Sequence, residues 1–283
     1  MRAKTIAVLP TMFTLGNLLC GFVAVFIASR PTETRMMFLS WTPLTCAALF
    51  VFLGLVFDAL DGRVARMTKS TSDLGEQLDS MADMVSFGVA PAFILVQILG
   101  VQSPYLSEAG DSLYDRLGLA IACIYVACAG LRLARFNIEK SDDGSGQGHR
   151  YFDGLPSPGA AGTVASLALL HQHIWAHDNY SLGATLSAYA MLAVSLLCAV
   201  AMVSRFRYIH LMNRYMRGGA PFPAVVGAVI VLLLLLVWPQ PAIAGGFSLY
   251  ACSGPLLGFA ARLRKRRHDR SLRGDTPPSQ VSG

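Results

Sequence analysis

LTCAALFVFLGLVFDALDGRVARMTKSTSDLGEQLDSMADMVSFGVAPAFILVQILGV, residues 44–101, sets two apolar runs on either side of a polar stretch rich in acids. Each run approaches the roughly 20 residues that cross a bilayer as a helix. Six of the chain's 17 acidic residues fall between Asp58 and Asp83. Asp58 and Asp61 are three apart at the end of the first run, and Asp79 and Asp83 are four apart at the start of the second. Each pair therefore shares one face of its helix. A short connection makes the two helices antiparallel neighbours, with the pairs facing each other. Charge at the edge of a membrane span is costly, and where it occurs it marks function.

The rest of the chain has the same character. Of its 283 residues 54% are hydrophobic and only 14% charged, and its mean hydropathy is +0.50; a soluble domain carries about 25% charged residues. The apolar residues fall into eight runs: Ile6 to Ala28, Phe38 to Leu60, Met81 to Val101, Leu117 to Asn137, Gly159 to Trp175, Leu182 to Val203, Phe222 to Val237 and Ala242 to Ala261. The fold class this predicts is an all-α integral membrane protein of eight transmembrane helices. The last two runs are separated only by Trp238, Pro239, Gln240 and Pro241, and together they are too long for one span, so two helices joined by a tight turn are expected.

Eight spans put both termini on one side. With that side cytoplasmic, every Lys and Arg falls inside except Arg30, Arg35 and Arg116, as the positive-inside bias requires. The net charge of +6 then reflects orientation and anionic membrane lipids, with no need for nucleic acid as a partner. The first run is too long for a signal-peptide core and ends without a clear cleavage site. All six cysteines lie inside predicted spans without a Cys-x-x-Cys pair, and read as small core residues. The division expected is a transmembrane domain over 1–261 and a basic, disordered cytoplasmic tail over 262–283 lying near anionic lipid.

Four facing carboxylates in a partly dry site repel each other unless a cation sits between them. Oxygen-only ligation, with no His or Cys nearby, favours Mg²⁺ or Mn²⁺, and Asp58, Asp61, Asp79 and Asp83 could hold two such ions. Gly62, directly after Asp61, and Gly75, four before Asp79, remove side chain where a bulky ligand would approach backbone. Arg66 and Lys69 add positive charge. Metals, clearance and basic residues together suit a diphosphate.

The pattern Asp58-x-x-Asp61-Gly62-x-x-Ala65-Arg66, eight residues, Gly75-x-x-x-Asp79-x-x-x-Asp83 resembles the signature of the CDP-alcohol phosphotransferase family at all eight fixed residues over 26 positions. The resemblance implies that an alcohol attacks the phosphorus attached to the lipid and that CMP leaves. It implies Asp58, Asp61 and Asp79 as ligands of one metal, Asp79 and Asp83 as contributors to a second, and Asp83 as the base. It also implies CDP-lipid contacts from Gly62, Ala65, Arg66, Lys69, Ser72 and Gly75, and from Thr11, Thr14 and Asn17 in the first span. Relatives are typically homodimers.

Arg132-Leu-Ala-Arg135-Phe-Asn137, Phe152-x-Gly-Leu-Pro-Ser157-Pro and Met202-Val-Ser-Arg205-Phe-Arg207-Tyr are similar to the phosphatidylserine synthase branch of that family, which implies CDP-diacylglycerol and L-serine as substrates. Arg132 and Arg135, three apart on one face, could clamp a carboxylate, with Asn137 or Ser157 as neutral partners; they could also be ordinary positive-inside anchors. Other acceptors, namely glycerol 3-phosphate, inositol phosphate or choline, stay open. So does an ion-coupled transporter, although that would spread acids through the membrane depth. His173 and His177 have the four-residue spacing of a metal pair, yet with His171 they lie across the membrane from the aspartates, where a solvated or interface role is expected.

Overall fold

The computed structural model describes residues 2–31, 41–68, 73–106, 113–142, 152–175, 181–204, 207–208 and 222–274. Its helices are α1 (Arg2–Ala28), α2 (Pro43–Thr68), α3 (Asp73–Asp83), α4 (Ala90–Leu106), α5 (Leu113–Asp142), α6 (Ser157–Trp175), α7 (Leu182–Val203), α8 (Phe222–Val237) and α9 (Pro239–Gly274). A π-helical turn, Met84–Val89, fuses α3 to α4. Each of the eight apolar runs is helical over most of its described length. Five stretches among the described residues are long and apolar enough to cross a membrane: Pro10–Ala28, Pro43–Val64, Leu74–Gly100, Arg116–Ile138 and Leu182–Val203.

Helix α1 is inside out relative to a helix of a soluble protein. On α1 the large residues Met12, Leu15, Leu19, Phe22 and Phe26 are exposed, while Thr14, Asn17, Cys20, Ala24 and Ala28 are buried. Hydrocarbon solvates large apolar side chains as well as protein does, so helices pack instead through small residues and satisfied polar ones. Helix α6 follows the same rule at the bundle centre, burying Gly159, Ala160, Ala161, Gly162, Thr163, Val164, Ala165, Ser166 and Ala168. A Cβ on Gly162 would fall 2.7 Å from the ring Cζ of Phe247 on α9, and one on Gly159 would fall 2.8 Å from Cε1 of Tyr250.

Several sequence expectations are corrected at their edges. Helix α2 begins at Pro43, and the start expected at Phe38 lies outside the described residues: Pro43 suits a first helical position, and the Thr42 hydroxyl caps the helix by accepting from the Thr45 N–H at 3.2 Å. The break between the last two runs is confined to Trp238, not spread over four residues. Its N–H donates to Leu234 O at 2.8 Å and its carbonyl accepts from Ala242 N–H at 3.1 Å; Pro239 and Pro241 sit in the first turn of α9, where a missing N–H costs little. The tail expected to be disordered from Arg262 is helical through Gly274, because residues 260–267 are strong helix formers and basic groups favour a helix C-terminus. Residues 275–283 lie outside the described residues.

The described β-structure is one antiparallel pair, β1 (Phe152–Asp153) with β2 (Arg207–Tyr208). Gly154 follows β1 at φ +93°, and a Cβ there would fall 2.5 Å from Met202 O. Only glycine fits a left-handed turn pressed against the end of α7. The turn lets Leu155 N–H donate to Ala201 O at 3.0 Å. The cysteines are free; Cys20 and Cys198 are buried and Cys46 and Cys128 half-buried, but Cys123 and Cys252 are exposed, so the expected core placement holds for only part of the set. His171 is buried, with Nδ1 2.6 Å from Ser187 Oγ, and pins α6 to α7; His173 is exposed, and His177 lies outside the described residues.

Candidate active site

Three helices build the site. The end of α2 carries Asp58 and Asp61, α3 carries Asp79 and Asp83, and α1 crosses beside both. One carboxylate oxygen from each of Asp58, Asp61 and Asp79 lies within 4.8 Å of the others. Octahedral Mg²⁺ holds its ligands at about 2.0–2.1 Å, so opposite oxygens stand roughly 4 Å apart. Three hard oxygens within 4.8 Å of one another, close to that spacing, on side chains that feel one another's charge, suit a small divalent cation that draws them in slightly. Asp83 stands apart from this trio, one turn beyond Asp79, in the electrostatic range of all three. It is 9% exposed and Asp61 6%.

The α1 helix contributes two donors, one to each carboxylate pair. The Thr14 hydroxyl is 3.1 Å from Asp61 Oδ2 and 3.1 Å from Pro10 O. Asn17 Nδ2 donates to Asp83 Oδ1 at 3.1 Å, and the Asn17 side chain has no exposed surface. Thr14 and Asn17 are three apart, so one helix face reaches both α2 and α3. Thr11, one further turn back, is partly exposed. Gly62 is exposed, and a Cβ there would meet nothing within 4 Å among the described residues. Gly75 is partly buried on α3. Ala65 and Arg66 lie on α2, their side chains outside the described set, and Lys69 and Ser72 lie outside the described residues.

On the far side of Asp83, Arg132 Nη1 donates to the buried Ser157 hydroxyl at 2.7 Å. Its Nε is buried without a hydrogen-bond partner among the described residues, and its guanidinium interacts electrostatically with Asp83 and Tyr250. Asn137, grouped with these residues from the sequence, is turned elsewhere. Its Nδ2 donates to Ser80 Oγ at 2.9 Å, tying α5 to α3 next to Asp79. Arg135 is half-buried on α5.

The matching family model, CDP-alcohol phosphatidyltransferase, covers residues 7–200. The chain belongs to that family. Among curated relatives it is 29% identical over 256 residues to the CDP-diacylglycerol–serine O-phosphatidyltransferase of Helicobacter pylori strain 26695, covering 90% of this chain and 92% of that one. Proteins of the same name from Bacillus subtilis (32% over 166 residues, 59% of this chain and 78% of that one) and Saccharomyces cerevisiae (39% over 140 residues, 48% and 46%) are also similar. The CDP-alcohol phosphatidyltransferase match ends before α8 and α9, yet α9 delivers Tyr250 to Arg132. Tyr250 was not legible as a site residue: its only sequence signal is the glycine pair Gly159 and Gly162, which makes room for α9 and says nothing about which ring fills the space.

Proposed function

We propose that this protein transfers the phosphatidyl group of CDP-diacylglycerol to the hydroxyl of L-serine, forming phosphatidylserine and CMP. The observation that carries this is the convergence of three carboxylate oxygens within 4.8 Å at the open backbone of Gly62, with Asp83 beside them. The serine acceptor is supported by the names of the relatives together with the Arg132–Ser157 pair. Asp83 takes the proton of the serine hydroxyl as the serine oxygen–phosphorus bond forms and the phosphorus–oxygen bond to CMP breaks. Divalent cations held by Asp58, Asp61, Asp79 and Asp83, Mg²⁺ or Mn²⁺ and two per site, would neutralise the diphosphate and the leaving CMP. Thr11, Thr14 and Gly62, with Ala65, Arg66, Lys69, Ser72 and Gly75, border the nucleotide lipid. Arg132 takes the serine carboxylate, flanked by Ser157 and Tyr250.

The proposed arrangement in the membrane is eight spans with both termini and the aspartates at the cytoplasmic face of a bacterial inner membrane. The basic segment from Arg262 then lies against anionic lipid, outside a transmembrane domain ending near residue 261, and two copies form a homodimer. As one helix, residues 222–261 would measure about 60 Å, twice a bilayer core of about 30 Å; two spans accommodate them. Purified protein given CDP-diacylglycerol, Mn²⁺ and a panel of alcohols tests the activity. CMP release is expected with serine and should stop on chelation with EDTA; release with glycerol 3-phosphate but not serine would overturn the acceptor.

A further inference from the structure

We propose that Asn17 is a positioning residue for Asp83, holding the carboxylate in place through its side-chain amide, and that it makes no contact with the nucleotide lipid. The inference rests on the reading of Asp83 as the base.

Four observations converge on it. Asn17 is fully buried, and its one amide atom without a hydrogen-bond partner among the described residues, Oδ1, is packed against Gly54 of α2. Its Nδ2 donates to Asp83 Oδ1 at 3.1 Å. Its backbone carbonyl accepts from the Ser86 hydroxyl at 2.7 Å, and Ser86 lies three residues after Asp83 in the chain. The amide and the carbonyl of one residue therefore grip one short segment of another helix at two points. Around this grip the packing leaves no slack. A Cβ on Gly21 would fall 2.7 Å from Ser86 Cα, and one on Gly54 would fall 3.0 Å from Asn17 Oδ1.

The gripped segment is the π-turn, and its origin is readable. Pro91 has no N–H, so Phe87 O cannot receive the bond that an α-helix would give it from residue 91. The ladder shifts instead, with Ala90 N–H bonding Val85 O, and the Phe87 carbonyl is satisfied by the Tyr125 hydroxyl on α5 at 3.2 Å. A π-turn immediately after Asp83 is a place where the carboxylate's direction is not set by a regular helix. Asn17 and Tyr125 hold it from opposite neighbours.

Asn17→Ala is expected to lower kcat by roughly 10–100-fold, the usual effect of removing a partner behind a reacting group. The KM for serine and the Kd for CDP-diacylglycerol should stay within about twofold of wild type, since a packing or positioning group contributes little to ground-state binding. Ser86→Ala, which leaves the amide and loosens its backbone, should show the same split to a lesser degree. The double variant Asn17→Ala, Asp83→Asn should be no slower than Asp83→Asn alone, because the two residues act as one unit. A raised Kd for CDP-diacylglycerol with kcat retained in Asn17→Ala overturns the inference and returns Asn17 to the nucleotide. Wild-type turnover in Asn17→Ala with Asp83→Asn inactive also overturns it alone, whereas wild-type turnover in Asp83→Asn removes the base assignment itself.

Discussion

Replacing Gly21 by alanine perturbs the site without touching it. The added methyl would sit 2.7 Å from Ser86 Cα and 2.9 Å from Ser86 N, and both are backbone atoms that cannot rotate away. Ordinary contact begins near 3.4 Å, so α1 must withdraw from the π-turn by about 0.7 Å. Applied to the grip, that displacement takes the Ser86–Asn17 bond from 2.7 Å to about 3.4 Å, and the Asn17–Asp83 bond from 3.1 Å to about 3.8 Å, past the useful range for either. Overpacking of this kind costs about 1–3 kcal/mol of stability, and losing the partner of Asp83 costs roughly 10–100-fold in turnover. The assay is CMP release at saturating substrates, paired with thermal unfolding in detergent. Gly100→Ala is the control: its Cβ would meet nothing within 4 Å, so it should keep wild-type turnover and gain up to about 1 kcal/mol from helix propensity. Wild-type turnover and an unchanged melting temperature in Gly21→Ala would refute the reasoning from close packing to geometry at Asp83.

Two further outcomes are expected. Tyr125→Phe leaves the buried Phe87 carbonyl without its donor at 3.2 Å, which should cost about 1–3 kcal/mol; a lowered melting temperature with reduced kcat checks it, and an unchanged melting temperature counts against Tyr125 as the brace of the π-turn. Arg132→Gln removes a charge-assisted bond of about 1.5–3 kcal/mol to the acceptor carboxylate, which is a rise of roughly 10–100-fold in the KM for serine with CDP-diacylglycerol affinity retained; equal rises for both substrates would make Arg132 a packing element rather than an acceptor contact.

The aspartate cluster was legible because its information is local. Three-residue and four-residue spacings place Asp58 with Asp61 and Asp79 with Asp83 on single helix faces, and the short connection between the runs does the rest. The existence of eight helical runs was legible for the same reason, since length and hydropathy need no knowledge of neighbours. Partner choice was not local. Thr14 and Asp61 are 47 positions apart, and Asn17 and Asp83 are 66 apart, so nothing in the α1 sequence says which polar group each will meet. That two polar residues three apart in an apolar helix must meet something was readable, because a buried polar group in a membrane has no water to fall back on.

The same distinction explains why Asn17 reads as a nucleotide contact in the sequence and as a carboxylate anchor in the structure. A motif records that a polar residue is required at a position, and either role would require it. The partner separates the two, since the buried Asn17 amide donates to Asp83 and its Oδ1 packs against Gly54. Pro91 is the one local mark of the arrangement: a proline in a span forces a carbonyl four residues back to find another donor. Here that carbonyl belongs to Phe87, the donor comes from α5, and the resulting π-turn begins at the residue after Asp83. Asp83 thus sits where three helices must agree on one irregular turn, so substitutions at Gly21, Ser86 or Tyr125, none of which carries a charge, should act on turnover through the direction of a single carboxylate.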